Sequence, residues 1–188
     1  MTSLPDRAPR IEPVQNPDDE QSQILSKTLL SPDAEPLNLF KVLVNYPEMM
    51  KRVNAVGGMF MEHGSLPAQQ REIVMLRVAW RSECDYEFAE HAPIGLRVGL
   101  SRDEIEDLGK PIDDMGWDGS DLDLVRFTDE VVEDLEVTDE TWSRVSESHS
   151  QTQMIELSLL AGYYMMLAAF LRTTRVPLEE GAEGLPTQ

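Results

Sequence analysis

Four residues carry groups able to move a proton at related spacings: Glu72, Cys84, Glu87 and His91. On an α-helix at about 100° per residue, offsets of three and seven return to one face. Cys84, Glu87 and His91 then fall within roughly 60° of one another and can converge on one point. Cys84 is the single cysteine of the chain. It is expected in the first turn of its helix, where unpaired N–H groups and the helix dipole favour a thiolate and lower the thiol pKa. His91 can act as base or proton donor, and Glu87 can orient the imidazole or share its proton. Glu72 opens the preceding apolar helix with no basic residue three or four positions away. It needs a partner, and a nearby Cys–His pair would supply one. The same spacing also fits a plainer picture: a core-filling thiol, a satisfied structural histidine and a solvated Glu87.

The elements that must position these groups are helical. Residues 1–36 read as an extended arm punctuated by Pro5, Pro9, Pro13, Pro17, Pro32 and Pro36, with room for a short helix in "QSQILSKTLL". From Leu37 to about residue 178 the pattern stays helical. "PEMMKRVNAVGGMFMEHG" places Pro47 in a helix-opening position and Met49, Val53, Val56 and Phe60 on one apolar stripe. "PAQQREIVMLRVAWRS", with Pro67 in its first turn, has almost no polar face and reads as the central helix. The next helix spans about Glu83 to Val98, and Ser101 with Glu104 forms a capping box for a short one ending at Gly109. Ser120 can cap a helix with Leu124, Val125, Val131, Val132 and Leu135 inward. "LSLLAGYYMMLAAFL" lies within a last long apolar helix from about Gln151 to Arg175, and residues 179–188 read as a loose tail. No run alternates β-branched with polar residues, so the class is all-α. A weak internal echo sets Glu156 against Glu72, but Ala168 and Arg175 stand where Cys84 and His91 would fall.

Composition narrows the function classes. The 188 residues fit one domain with a core of its own. Acidic residues outnumber basic ones 35 to 16, a formal charge of −19, which disfavours nucleic acid and anionic membrane surfaces as partners. The N-terminal stretch lacks the apolar run of a secretion signal. The fifteen uncharged residues Leu157 to Leu171 fall short of the roughly 20 that span a bilayer. One cysteine is consistent with a reducing cytoplasm. Glu62, His63, Glu87 and His91 show neither HxxxH nor ExxH spacing, so no metal is expected. "AVGG" sits inside a helix pattern, where it permits close packing rather than cradling a phosphate.

The stretch "REIVMLRVAWRSECDYEFAEHAPIGLRVGLSRDEIEDL", Arg71 to Leu108, resembles the carboxymuconolactone decarboxylase family of the AhpD-like (alkylhydroperoxidase D-like) superfamily. The resemblance rests on a glutamate early in one helix, Cys-x-Tyr-Glu-[Trp/Phe]-x-x-His opening the next, and then "GLSRDEI". "PRIEP" and "RVPLEEG" extend it over nearly the whole chain. It implies an all-α fold with an internally repeated helical core and assembly into dimers, trimers or hexamers. Peroxide-reducing members carry Glu and then Cys-x-x-Cys-x-x-x-His. On that pattern Glu72 matches the relay glutamate, Cys84 the first cysteine and His91 the histidine, while Glu87 replaces the second cysteine. A dithiol–disulfide cycle needs two thiols, and this chain has one.

Three functions follow. The first is a cofactor-free acid–base enzyme, a decarboxylase, lyase or isomerase acting on a small ring-derived acid or lactone. In it His91 transfers the proton, Glu87 or Glu72 sets its state, Cys84 lines the pocket or assists, and Arg77 or Arg81 offsets an anionic substrate. The second is a single-cysteine peroxidase or redox sensor acting through a Cys84 sulfenic acid. The third is a non-enzymatic oligomeric helical protein.

Overall fold

The computed structural model describes residues 8–30 and 34–186. Residues 1–7 and 31–33 of the expected arm, with Pro5 and Pro32, and residues 187–188 of the tail lie outside the described residues. The described part of the arm lies across the body of its own chain. Arg10 N donates to Thr174 O at 2.9 Å and Val14 N to Lys41 O at 3.0 Å. Helix α1, Asp19–Leu25, is closed by a capping box in which Asp18 accepts from Gln21 N.

Among the described residues the fold is all-α. After α1 come α2 (Asn38–Leu43), α3 (Pro47–His63), α4 (Ala68–Arg81), α5 (Asp85–Val98), α6 (Arg102–Asp107), α7 (Gly119–Asp134), α8 (Asp139–Ser148) and α9 (Gln151–Thr174). A single 3₁₀ turn, Ile112–Asp114, precedes α7. Helix α4 is the axis of the domain and packs on α5, α7 and α9. Its residues Glu72 through Ala79 are all buried, two of them charged, so the helix is ringed by neighbours as its apolar sequence requires. Helix α9 is 24 residues long and apolar enough, by length and composition, to cross a membrane. Half of its most apolar window is buried inside the protein.

Several local readings shift. Pro47 opens α3 as expected, but Pro67 is the N-cap of α4 rather than part of its first turn. Asp118, not Ser120, precedes α7, and it makes no side-chain cap bond. Leu124 and Val125 are buried with Phe127, whereas Leu135 is the exposed left-handed end of α7. On α3 the inward residues are Met50 and Phe60, while Met49 and Val56 are exposed. The reason is Gly57. A Cβ there would stand 2.9 Å from the Tyr163 hydroxyl, so the side chain of Tyr163 packs on α3 over Gly57, between Val53 and Phe60, and the inward face is turned from the expected stripe toward Met50 and Met61.

The expected anionic-substrate arginines have structural duties. Arg77 is buried, pairs bidentately with Asp129 at 2.7 and 2.6 Å, and donates to the Leu108 and Lys110 carbonyls. Arg81 pairs with Asp129 and Glu133 on the surface. Burying the Arg77 charge is tolerable because its donors meet acceptors on three sides. Glu156, the echo of Glu72, accepts from Ser65 N, Ser65 Oγ and Leu66 N and so fixes the turn before α4. The C-terminal segment is tied rather than loose. Glu179 accepts from the Tyr86 hydroxyl and Asn38 N, both at 2.6 Å, and Leu185 N donates to Asp85.

Candidate active site

The turn between α4 and α5 positions every sequence-predicted site residue. Ser82 ends α4, Glu83 takes a left-handed conformation (φ +49°), and Cys84 is the N-cap of α5 with extended backbone. Arg172 of α9 holds this turn by donating to the Ser82 carbonyl and to Glu83. A left-handed non-glycine residue costs about 1–2 kcal/mol, and the tight reversal it permits sets the start of α5 beside the end of α4.

Glu72 and His91 meet. Glu72 Oε2 lies 2.8 Å from His91 Nδ1, with both side chains buried in the interior. A proton on Nδ1 shared with Glu72 leaves Nε2 as the nitrogen free to exchange a proton elsewhere. His91 also stands edge-to-face on Tyr164, with ring centroids 5.1 Å apart, which fixes the plane of the imidazole.

His91 faces a cavity of about 270 Å³. Its polar lining includes Asn54, Tyr86, Glu87, Glu90, His91, Tyr163 and Tyr164, with Lys27 and Glu62 exposed at its edge. Its apolar lining includes Phe40, Val53, Met61, Ile94, Leu167 and Leu171. The arm, α3, α5 and α9 therefore all contribute. Glu87 is one helical turn before His91 on the same face. Both Glu87 carboxyl oxygens are buried without a hydrogen-bond partner among the described residues. Burial pushes this carboxyl well above the usual range, and only the Cys84 thiol opposes the shift, without reaching hydrogen-bond geometry. The site thus sets a carboxyl whose protonated form is favoured by burial beside an imidazole held by a second carboxylate.

Cys84 does not behave as its helix position suggested. It is 1% exposed and packed among Val42, Tyr86, Leu167, Ala168 and Leu171, and it is not part of the cavity lining. Its thiol is pushed up to about 12, first by burial and then by the neighbouring Glu87. The dipole argument fails because the side chain points into apolar packing and makes no cap contact.

Residues 47–130 match the model of the carboxymuconolactone decarboxylase family. This segment of the chain is similar to the carboxymuconolactone decarboxylase family, and the chain shares the AhpD-like fold. The region matched by the carboxymuconolactone decarboxylase model runs from α3 into α7 and contains Glu72, Cys84, Glu87 and His91. Solved structures share the AhpD-like fold. One is an uncharacterized peroxidase-related protein with an alkylhydroperoxidase AhpD core from Ralstonia eutropha JMP134, at 16% identity and a TM-score of 0.75. It covers 93% of this chain and 92% of its own. Another is an uncharacterized peroxidase-related protein from Silicibacter sp. TM1040, at 13% identity and 0.75, covering 95% and 96%. A third is a debrominase carrying a cysteine-to-alanine substitution, in complex with 2,3,4-tribromopyrrole, at 11% identity and 0.69, covering 90% and 91%. No curated protein is similar in sequence. Within the AhpD-like fold this chain carries Glu87 in the position that the dithiol pattern gives to a second cysteine.

Sequence reasoning missed Tyr163, Tyr164 and Glu90. The tyrosine pair was marked by being the only hydroxyl-bearing aromatics in "LSLLAGYYMMLAAFL". The Tyr163 hydroxyl donates to Val53 O at 2.9 Å and so joins α9 to α3 at the cavity wall. The other two histidines are sorted by their contacts. His149 is buried with both ring nitrogens engaged, by Val145 O and Gln70, and His63 is exposed.

Proposed function

We propose that the protein is an acid–base enzyme acting on a small ring-derived molecule, with His91 as the proton-transferring group, Glu72 as its positioning residue and Glu87 as the acid. The observation that carries this reading is the division of labour around the cavity. His91, held at Nδ1 by Glu72, lines it with Glu87, while Cys84 is packed behind. A cavity of about 270 Å³ suits one ring with its substituents and encloses the reacting carbon away from water. Loss of a carbon-bound proton or of carbon dioxide leaves an enolate, which a protonated Glu87 can stabilise and His91 can reprotonate. The reading includes a homo-oligomer in a reducing cytoplasm, with neither nucleic acid nor membrane as partner. Exposed Met49, Val56 and Met59 on α3 and Ile155, Leu159 and Met166 on α9 offer apolar surface to a second copy.

The test is turnover of a panel of small lactones, ring ketones and ring acids, followed by NMR. Activity that is lost in His91→Ala and largely kept in Cys84→Ser supports the assignment. The reverse ordering overturns it.

The peroxidase-related description of two structural neighbours favours a second reading, peroxide reduction at Cys84. Burial of the thiol weighs against it. Cys84 is expected to stay reduced, by mass spectrometry, after brief exposure to a small excess of peroxide. Rapid sulfenic acid formation would reverse the ranking.

A further inference from the structure

The charges around the cavity are unusual for a site that would take an organic acid. Its acidic side chains are Glu62, Glu87 and Glu90, and among the described lining residues Lys27 is the one basic side chain besides His91. Lys27 is exposed at the edge, whereas the interior is walled by leucine, valine, isoleucine and tyrosine side chains. Of the arginines next to lining residues, Arg172 is committed to the Ser82 carbonyl and Glu83 and Arg52 is exposed, while Arg77 and Arg81 of α4 are committed to Asp129 and Glu133. A carboxylate entering the interior would lose its hydration with no cation there except a His91 already paired with Glu72, which costs several kcal/mol.

Glu87 adds the positive half of the argument. It is 3% exposed, lines the cavity, and neither of its oxygens has a partner among the described residues. A buried polar group without a partner costs about 1–3 kcal/mol, so its presence on a cavity wall points to a partner that arrives with the ligand. A carboxylic acid offers that ligand one O–H donor and suits a neutral carbonyl oxygen.

We infer that the cavity selects an uncharged, ring-sized carbonyl compound, bound through its oxygen by Glu87, and that the reaction is an isomerisation rather than a decarboxylation. This rests on the acid–base reading of the same site. In a substrate that carries a β,γ carbon–carbon double bond, His91 Nε2 takes a proton from the carbon beside the carbonyl. The C–H electron pair becomes a carbon–carbon double bond, and the carbonyl π pair moves onto oxygen, which accepts the Glu87 proton. The enol returns its O–H proton to Glu87 while the far carbon of the conjugated system takes the proton held by His91. The double bond has then moved, both residues are restored, and no oxidant or reductant is used.

Calorimetry at pH 7 with acetophenone, δ-valerolactone and benzoate tests the selection without requiring turnover. The neutral compounds are expected to bind at least about tenfold more tightly than benzoate, which is close to acetophenone in size. Glu87→Gln, which keeps a neutral donor, should hold acetophenone affinity within about threefold. Glu87→Leu, which needs no partner when buried, should weaken it by about three- to tenfold. Benzoate binding as well as acetophenone, no binding by either class, or an unaltered Glu87→Leu variant overturns the inference. Neutral-ligand selectivity in a protein that moves no protons would overturn the acid–base reading and leave the selectivity standing.

Discussion

Glu72 on α4 and His91 on α5 are joined at 2.8 Å through Oε2 and Nδ1, across 19 residues of chain, inside the protein. The contact fixes which imidazole nitrogen serves the cavity. It also ties the central helix to the helix that bears the acid.

Glu72→Gln is therefore expected to keep the fold and to lower proton transfer by at least about tenfold, because an amide no longer stabilises a charged imidazolium. Glu72→Leu should in addition cost about 1–3 kcal/mol by leaving Nδ1 buried without an acceptor. Kinetics and thermal melts on the two variants separate the effects. Equal activity in wild type and Glu72→Gln would remove Glu72 from the site.

Glu87 governs a pH dependence of stability. Its carboxyl is raised by burial, so the folded state holds a proton that the unfolded chain releases above about pH 4.3. Stability from this group is fully present below that pH and is lost as pH rises toward the folded pKa. Glu87→Gln should match wild type near pH 4 and become more stable with rising pH, by up to about 1.4 kcal/mol per unit. Melting curves between pH 4 and pH 8 check the sign, and a gap that narrows with pH would contradict it.

Cys84 should be inert. With the thiol pushed up to about 12 and the side chain in apolar packing, a thiol reagent at pH 8 is expected to label it only after unfolding. Stoichiometric labelling of the native protein within minutes would show a reactive thiol instead.

Much of this arrangement was legible in the sequence, and its failures have physical causes. Offsets of three and seven placed Glu87 and His91 on one face of α5, and the lack of a local partner for Glu72 pointed to the contact that the fold makes. Cys84 was misjudged because a left-handed Glu83 moves it out of the helix by one residue, from first turn to N-cap. The α3 stripe held at Val53 and Phe60 but failed at Met49 and Val56, because the inward face is turned toward Met50 and Gly57, where Tyr163 packs and a glycine gives no apolar signal. Arg77 could not be placed from sequence, since its partner Asp129 is 52 positions away on α7. The tyrosines of α9 were hidden by lying in an otherwise apolar run.

Gly58 offers a way to alter the cavity without breaking the fold. It lines the cavity within α3, and a Cβ there meets nothing within 4 Å. Gly58→Ala is expected to stabilise the protein by about 0.5–1 kcal/mol through helix propensity. Gly58→Leu should fold normally and raise KM for ring-sized substrates by filling part of the space. An unchanged KM in Gly58→Leu would place the substrate elsewhere.

The most direct measurement follows deuterium entering the carbon beside the carbonyl of neutral ring ketones in D2O, by NMR, with wild type, His91→Gln and Cys84→Ser. Exchange catalysed by wild type and Cys84→Ser, and reduced by about a hundredfold or more in His91→Gln, is the expected result. Exchange that survives in His91→Gln and disappears in Cys84→Ser would contradict a site centred on the histidine.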